Sequence, residues 1–218
     1  MNKEEKFDEI VKSNHFHVTI FGSARIKKKD PRYNQIYTLA KLLGNEGIDI
    51  ITGGGPGIME AASLGHQAGK KKAKIKSHTI GLGIKLPHEQ EFNKGVGINK
   101  KFDKFSGRLD NFMKYSNVVV VAPGGVGTIL ELFYTWQLMQ VNHICNIPII
   151  LLGDMWDGLI KWLEKDPLNK KFFEKKDMNL LFHAKNSQEA MKMINTAYKE
   201  FNAGNKDFCL NYKKYKLY

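Results

Sequence analysis

The stretch that most restricts the fold of this chain is residues 118–131, with the sequence VVVVAPGGVGTILE. Four consecutive valines predict a buried strand, and Thr128 and Glu131 open a helical pattern directly after it. The turn between strand and helix contains Gly124, Gly125 and Gly127. Such a turn leaves backbone N–H groups free at the positive end of the helix dipole, and both features favour a bound anion. The sequence therefore predicts a phosphate-binding turn here.

Two further small-residue turns follow predicted strands in the same way. They are Gly22-Ser23-Ala24-Arg25 and the GGGPG run at residues 53–57. The predicted strands are residues 17–21, 48–52, 79–86, 117–122 and 147–152. Helical patterns separate these strands, and this alternation predicts an α/β fold with an open, mostly parallel sheet and helices on both faces. Ligands of such sheets bind beyond the carboxyl ends of the strands, where all three turns are expected to lie.

The length of 218 residues favours one domain. We expect a single domain over residues 1–218, with a core at about residues 16–165 and a helical C-terminal extension at about residues 166–218. Residues 91–104 have many charges and little periodicity, so they are predicted to form a loop over the site.

Basic residues outnumber acidic ones, 34 against 22, which gives a formal net charge of +12. This excess favours an anionic ligand, a nucleic acid or an acidic partner. The lysines lie in scattered clusters, and no RRM or zinc-finger signature accompanies them. We therefore expect a small anionic ligand rather than nucleic acid, although the charge alone leaves a nucleic-acid-associated protein open.

The N-terminal residues, the apolar runs and the cysteines of the chain predict its cellular compartment. Residues 1–14 are charged and contain no apolar secretory core, and no apolar run approaches the roughly 18 residues that a membrane span needs. The two cysteines, Cys145 and Cys209, have neither metal-ligand spacing nor the pattern of a disulfide framework. We expect a cytoplasmic protein in a reducing compartment, with no membrane partner.

The glycine turns match neither the dinucleotide motif nor the nucleoside triphosphate motif. A dinucleotide site needs G-x-G-x-x-G, but the first turn reads GSAR and Ile58 takes the place of the third glycine in the second. A Walker A loop needs a lysine before its Ser or Thr, whereas Thr128 directly follows Gly127. Hydride transfer and nucleoside triphosphate hydrolysis are therefore not expected. The histidines show no metal-ligand spacing, so no metal site is predicted.

Glu131 has two interpretations on the residue pattern alone. Thr128-x-x-Glu131 matches a capping box, in which each side chain satisfies a free N–H group at the helix start. Alternatively, a carboxylate one turn inside a phosphate-binding helix points at the rest of the ligand that carries the phosphate. Arg108 is similarly open, because its position is compatible with an ordinary surface arginine.

Four motifs together resemble the LOG ("Lonely guy") family, whose members were long labelled as lysine decarboxylases. The motifs are Gly22-Ser23-Ala24-Arg25, TGGGPGIMEAA at residues 52–62, LPHEQ at residues 86–90 and PGGVGTILE at residues 123–131. The resemblance covers roughly residues 16–165 and implies a Rossmann-like homodimer or larger homo-oligomer without a cofactor. Such enzymes are cytokinin riboside 5'-monophosphate phosphoribohydrolases, which cleave the N-glycosidic bond of AMP-like or cytokinin nucleotides to a free base and ribose 5-phosphate. A non-catalytic nucleotide or molybdenum-cofactor carrier on the same fold is the alternative.

The resemblance also implies roles for individual residues. In the family a catalytic arginine lies fifteen residues before the motif proline, which here places Arg108 before Pro123, and the closing catalytic glutamate is Glu131. The implied substrate-binding residues are Gly22, Ser23, Ala24, Gly53, Gly54, Gly55, Gly57, Met59, Glu60, Pro87, Gln90, Gly124, Gly125, Val126, Gly127 and Thr128. Several positions depart from the family pattern. Leu109 replaces a basic residue, Gly107 stands where a bulkier side chain is common, Val126 stands where Tyr or Phe is frequent, and Ile129-Leu130 replaces an often more acidic pair.

Overall fold

A computed structural model describes residues 7, 9, 15–74, 76–85 and 91–204 of the chain. Two of the expected substrate-binding residues, Pro87 and Gln90, lie outside this described part, as does Cys209.

A seven-stranded parallel sheet in the order β4-β3-β2-β1-β5-β6-β7 organises the described residues. The strands are β1 His17–Phe21, β2 Asp49–Thr52, β3 Thr79–Ile84, β4 Ile98–Phe102, β5 Val118–Val121, β6 Ile149–Leu152 and β7 Leu181–Ala184. The helices are α1 Pro31–Asn45, α2 Ile58–Ala73, α3 Phe105–Tyr115, α4 Val126–Gln140, α5 Asp157–Leu163, α6 Lys175–Met178 and α7 Ser187–Asn202. A 3-10 turn at Asp154–Trp156 and a π-helical turn at Glu164–Leu168 flank α5. The prediction of a Rossmann-like α/β fold is confirmed.

The central strands are buried on both faces, as their continuous apolar sequences predict. Val118 and Val120 belong to one hydrophobic core, which packs the sheet against α1, α2 and α7. Val119 and Val121 belong to the other core, which packs the opposite face against α3 and α4. Side chains of a strand alternate between the two faces, so a run of valines fills both cores at once. The strand order reverses at β1, whose neighbours are β2 and β5, and this reversal places a switch point beside β1.

The prediction of a loop over residues 91–104 is wrong at Ile98–Phe102, which forms β4. Both strands absent from the prediction, β4 and β7, are edge strands of the sheet and are partly exposed. Edge strands tolerate charged residues such as Lys100 and Lys101, and these interrupt the apolar pattern by which a strand is predicted. The segment expected to be a helical C-terminal extension contributes β7 to the sheet as well as α7.

The expectation of a chain without disulfides is wrong, because Cys145 is buried and disulfide-bonded. Sequence spacing did not predict this bond, since a disulfide depends on which side chains the fold brings together. No helix in the described part of the chain is both long and apolar enough to cross a membrane.

Candidate active site

The turns that follow β1, β2 and β5 converge at the carboxyl edge of the sheet. The backbone N–H of Ser23 donates to the carbonyl of Pro123 over 3.1 Å, and the N–H of Ile58 donates to the carbonyl of Ser23 over 2.9 Å. The first turn is therefore hydrogen-bonded to both of the others. They border a cleft of about 450 Å³ whose lining includes Gly22, Ser23, Ala24, Arg25, Gly53, Met59, Arg108, Gly125, Val126, Gly127, Thr128 and Glu131.

A second, smaller cleft of about 200 Å³ adjoins the first. The two clefts share Gly53, Met59 and Arg108 in their linings. Gly54 and Gly55, which the resemblance assigns to substrate binding, line this second cleft. The candidate site is therefore divided into two compartments, with the Arg108 guanidinium at their boundary.

Three of the expected substrate-binding residues lie outside both linings. Gly57 has a φ of +68°, and a Cβ there would collide with the carbonyl of Ser23, so this glycine allows two turns to pack together. A Cβ on Gly124 would collide with the side chain of Thr128. The Glu60 carboxylate lies 3.4 Å from the hydroxyl of Tyr33 and 3.4 Å from Nζ of Lys28.

The capping-box interpretation of Glu131 is wrong. Helix α4 begins at Val126 with Gly125 as its N-cap residue, and no side chain caps it. A capping box would need Thr128 at the N-cap, but Thr128 is already the third helical residue. The first N–H groups of α4 consequently have no side-chain cap, and Gly125, Val126 and Gly127 line the first cleft. An uncapped helix start in a cleft can accept an anionic group.

Arg108 is held in place by contacts that leave one end of its guanidinium directed at Glu131. Its Nε donates to the carbonyl of Leu82 over 2.8 Å, and its guanidinium carbon lies 5.1 Å from the centre of the Phe112 ring. Its Nη2 is 3.9 Å from Oε1 of Glu131. The two side chains are only 14% and 13% exposed. Arg108, which lies fifteen residues before the motif proline in the sequence, is thus beside Glu131 in the fold.

The neighbours of Arg108 explain two features of the sequence. Leu109, which replaces the basic residue expected next in the chain, is buried and lies on the same face of α3 as Phe112 and Met113. Gly53 lies so near the guanidinium that a Cβ there would collide with Nη2 of Arg108. A side chain at residue 53 would therefore displace the arginine from the boundary of the clefts.

Burial dominates the electrostatics of this pair. It raises the pKa of Glu131 from 4.5 to about 7, and the positive charge of Arg108 offsets this only in part. Burial likewise lowers the pKa of Arg108, which Glu131 partly opposes. At 3.9 Å the pair is longer than a charge-assisted hydrogen bond, so the carboxylate is poorly compensated for leaving water. A carboxyl group that titrates near neutral pH in a cleft is suited to proton transfer.

Phe92, Asn93 and Phe105 are among the residues of the site that the sequence did not predict. The amide of Asn93 donates to the carbonyls of Gly54 and Gly55 over 3.0 and 2.8 Å, which fixes the second glycine turn. Phe92 and Phe105 line the second cleft. Phe92 lies in the charged segment predicted to be a loop, where no periodic pattern marks a residue as part of a site.

The fold and the site together define an α/β protein with a cleft that is lined by an uncapped helix start and by a largely buried Arg–Glu pair. The family described as "Possible lysine decarboxylase" has a model that matches residues 50–194, and the chain belongs to this family. The resemblance drawn from the motifs is thereby confirmed.

Individual relatives are more distant. A pyrimidine/purine nucleotide 5'-monophosphate nucleosidase of Escherichia coli (strain K12) is 29% identical over 126 residues, which are 54% of this chain but only 28% of the relative's length. A cytokinin riboside 5'-monophosphate phosphoribohydrolase of Arabidopsis thaliana is 23% identical over 196 residues, 88% of this chain and 87% of the relative. The molybdenum cofactor carrier protein of Chlamydomonas reinhardtii, a solved structure, has a TM-score of 0.62 at 20% identity and covers 85% of this chain and 99% of its own. That likeness shows a shared fold.

Proposed function

We propose that this chain is a nucleoside 5'-monophosphate phosphoribohydrolase. It cleaves the N-glycosidic bond of AMP or a related nucleotide, including cytokinin nucleotides, to give a free base and ribose 5-phosphate. The observation that carries the proposal is the buried Arg108–Glu131 pair, which lines the same cleft as the uncapped start of α4. The bacterial and plant relatives, named as a nucleotide nucleosidase and a phosphoribohydrolase, support it.

The two compartments correspond to the two ends of a nucleotide. The 5'-phosphate binds at the N–H groups of Gly125, Val126, Gly127 and Thr128, because these donors stand at the positive end of α4. The base occupies the second cleft, where Phe92 and Phe105 offer aromatic surface. The ribose then spans the boundary at Arg108, close to the carboxylate of Glu131.

Glu131 is the proton acceptor in this proposal. As the bond from ribose C1' to the base nitrogen breaks, its electron pair stays with the base and the sugar takes on oxocarbenium character. A water oxygen adds to C1' and one water proton passes to the Glu131 carboxylate. That proton then returns through solvent to the departed base, which regenerates the carboxylate. Arg108 orients the ribose phosphate, and its charge keeps a fraction of Glu131 ionised near neutral pH.

The deciding assay incubates the purified chain with AMP and other nucleoside monophosphates and measures free base by chromatography. Glu131→Gln removes the proton acceptor with little change of shape, so base release is expected to fall about 10²–10⁴-fold. Glu164→Gln makes the same chemical change at an exposed glutamate outside both clefts and is the matched control. Equal release of free base by the unaltered chain and by Glu131→Gln would contradict this mechanism.

Tight binding of AMP without release of base would favour a different function. It would indicate a non-catalytic carrier of a nucleotide or of molybdenum cofactor, on the fold shared with the Chlamydomonas protein.

The proposed enzyme works as a homodimer or larger homo-oligomer. Support comes from apolar side chains at the start of α4, where Val126 is 86%, Leu130 49% and Ile129 38% exposed. Apolar residues clustered on one surface favour a protein contact. Light scattering is expected to give a mass at least twice that of one chain, and a monomer at assay concentration would contradict this part of the proposal.

A further inference from the structure

Three histidines surround a single buried carboxylate at the amino edge of the sheet, opposite the candidate active site. The carboxylate belongs to Asp49, the first residue of β2, which is fully buried. Its Oδ2 lies 2.9 Å from Nδ1 of His78, 3.1 Å from Nδ1 of His15 and 3.7 Å from Nε2 of His17. The parallel register brings these side chains together, because His17 pairs directly with Asp49 and residue 78 immediately precedes β3.

One nitrogen of this cluster has no partner. His17 is only 3% exposed, and its Nε2 has no hydrogen-bond partner among the described residues. Buried polar atoms are nearly always satisfied, so an orphan atom beside a carboxylate and two more imidazoles requires an explanation. The orphan nitrogen lies 3.7 Å from Oδ2 of Asp49, so the protein atoms of the cluster do not satisfy all of its polar groups.

The spacing of three ligand atoms is compatible with a tetrahedral metal ion. Zinc bonds of about 2.0–2.2 Å to nitrogen and oxygen separate neighbouring ligand atoms by about 3.3 Å in a tetrahedron. Asp49 Oδ2 lies close to that distance from Nδ1 of His78 and from Nδ1 of His15, at 2.9 and 3.1 Å. The ligand atoms of His15, Asp49 and His78 all lie within 4.8 Å of one another. We propose that His15, Asp49 and His78 bind a divalent transition-metal ion of the zinc type.

The surroundings hold the carboxylate in the orientation that this site requires. Asp49 Oδ1 accepts the backbone N–H of His78 over 2.7 Å, which leaves Oδ2 directed at the three imidazoles. The neighbouring His66 is not a ligand, because its ring nitrogens contact Thr79 Oγ1 at 2.7 Å and the carbonyl of Ile48 at 2.8 Å. The His15 and His78 side chains are 36% and 27% exposed, so an ion can reach the cluster from solvent.

Three protein ligands leave the fourth position of a tetrahedral ion to water. The ion would join the chain at the starts of β1, β2 and β3, far from Glu131 at the other end of the sheet. Zinc is therefore expected to raise the thermal stability of the chain and to leave nucleotide hydrolysis unchanged. Sequence spacing did not predict this site, because its ligands lie at or just before the starts of three separate strands.

Metal retention by the full chain, prepared without a histidine tag, tests the proposal. The protein is stripped with EDTA, dialysed, given Zn²⁺, desalted and analysed for bound metal, and Co²⁺ serves as a second probe whose visible spectrum reports tetrahedral coordination. We expect about one ion per chain, and a melting temperature about 5–10 °C higher at a free Zn²⁺ concentration of 100 times the Kd.

The informative variant is the double change His15→Gln and His78→Gln, because both residues are partly exposed and tolerate substitution better than Asp49. It is expected to lose at least tenfold in zinc affinity and to lose the cobalt spectrum. The control is His183→Gln, since His183 Nε2 also faces a carboxylate, Asp157 at 3.5 Å, but outside the cluster. The proposal would be overturned if the unaltered chain retained no zinc, or if the double variant retained as much zinc as the unaltered chain. Either result would mean that the cluster is a hydrogen-bond network only.

Discussion

Two buried carboxylates at opposite ends of the same sheet have opposite electrostatic surroundings. At the carboxyl edge, burial raises the pKa of Glu131 to about 7, and the Arg108 charge that opposes this shift is 3.9 Å away at Nη2. At the amino edge, burial also raises the pKa of Asp49, but hydrogen bonds from His78 and the charge of His17 outweigh it and lower the pKa overall. The number of close donors, rather than the depth of burial, therefore decides the direction of the shift.

In the proposed function, this difference separates a reactive carboxylate from a structural one. Asp49 receives the N–H of His78 at 2.7 Å and its imidazole at 2.9 Å, so its charge is satisfied within the fold. Glu131 is left incompletely satisfied, because the hydrogen bond to Leu82 holds the Arg108 guanidinium back. A carboxylate that accepts a proton during a reaction must not already be fully hydrogen-bonded to the protein, because its strongest interactions have to form with the reacting substrate.

After Glu131→Gln, Arg108→Lys is expected to have the largest effect. A lysine cannot donate to the Leu82 carbonyl and face Glu131 at the same time, so kcat/KM for AMP is expected to fall on the order of 10²–10³-fold. Steady-state kinetics measure this, with Arg32→Lys as the control, since Arg32 pairs with Asp30 at an exposed position. Equal losses in the two variants would mean that Arg108 has no special part in the site.

Asp49→Asn tests the other carboxylate. The asparagine side chain is uncharged and has one carbonyl oxygen, so it cannot accept hydrogen bonds from both the backbone N–H and the ring of His78 as the carboxylate does. The free energy of unfolding is therefore expected to fall by about 3 kcal/mol. Urea unfolding in EDTA measures this without any metal contribution. Asp157→Asn is the control, because Asp157 is 49% exposed and is expected to change stability by less than about 0.5 kcal/mol. A loss as small as that of the control would contradict the structural role of Asp49.

The sequence correctly predicted elements of the fold that depend on local residue patterns. The bounds of β1 at residues 17–21 and the start of α1 after Asp30 are confirmed, because apolar runs and capping residues specify them locally. The edge strand β4 was missed because its lysines hide the pattern. The capping box at Thr128 was a wrong prediction because the helix begins at Val126, and the geometry of a glycine turn does not follow from composition.

Contacts between elements were predicted far less well. The pairing of Arg108 with Glu131 was expected from family resemblance and not from the residue pattern, since α3 and α4 are separated by β5. The cluster around Asp49 was not predicted at all. His17 meets Asp49 only through the register of β1 and β2, and a register depends on the packing of both cores.

The pH dependence of hydrolysis sharpens the assignment of Glu131. Its carboxylate must be ionised to accept a proton, and its pKa is raised to about 7, so kcat/KM is expected to fall about tenfold per pH unit below that value. Rates from pH 5 to 9 check this. The substrate phosphate itself ionises near pH 6, so AMP binding to Glu131→Gln over the same range separates the two effects. A rate that stays flat down to pH 5 would assign proton transfer to another group.

The stability of Glu131→Gln should show the smallest effect and the most direct contrast with Asp49. A raised carboxyl pKa means that the folded state binds the proton more tightly than the unfolded state, so stability falls as pH rises from about 4.5 to about 7. The variant lacks this cost and should be about 1–2 kcal/mol more stable than the unaltered chain at pH 8.5 but equal to it at pH 4. Asp49 has the opposite sign, since its lowered pKa gives stability that is lost on acidification. If urea unfolding shows Glu131→Gln to be less stable at pH 8.5, Arg108 compensates the carboxylate fully, and the distinction between a reactive and a structural carboxylate fails.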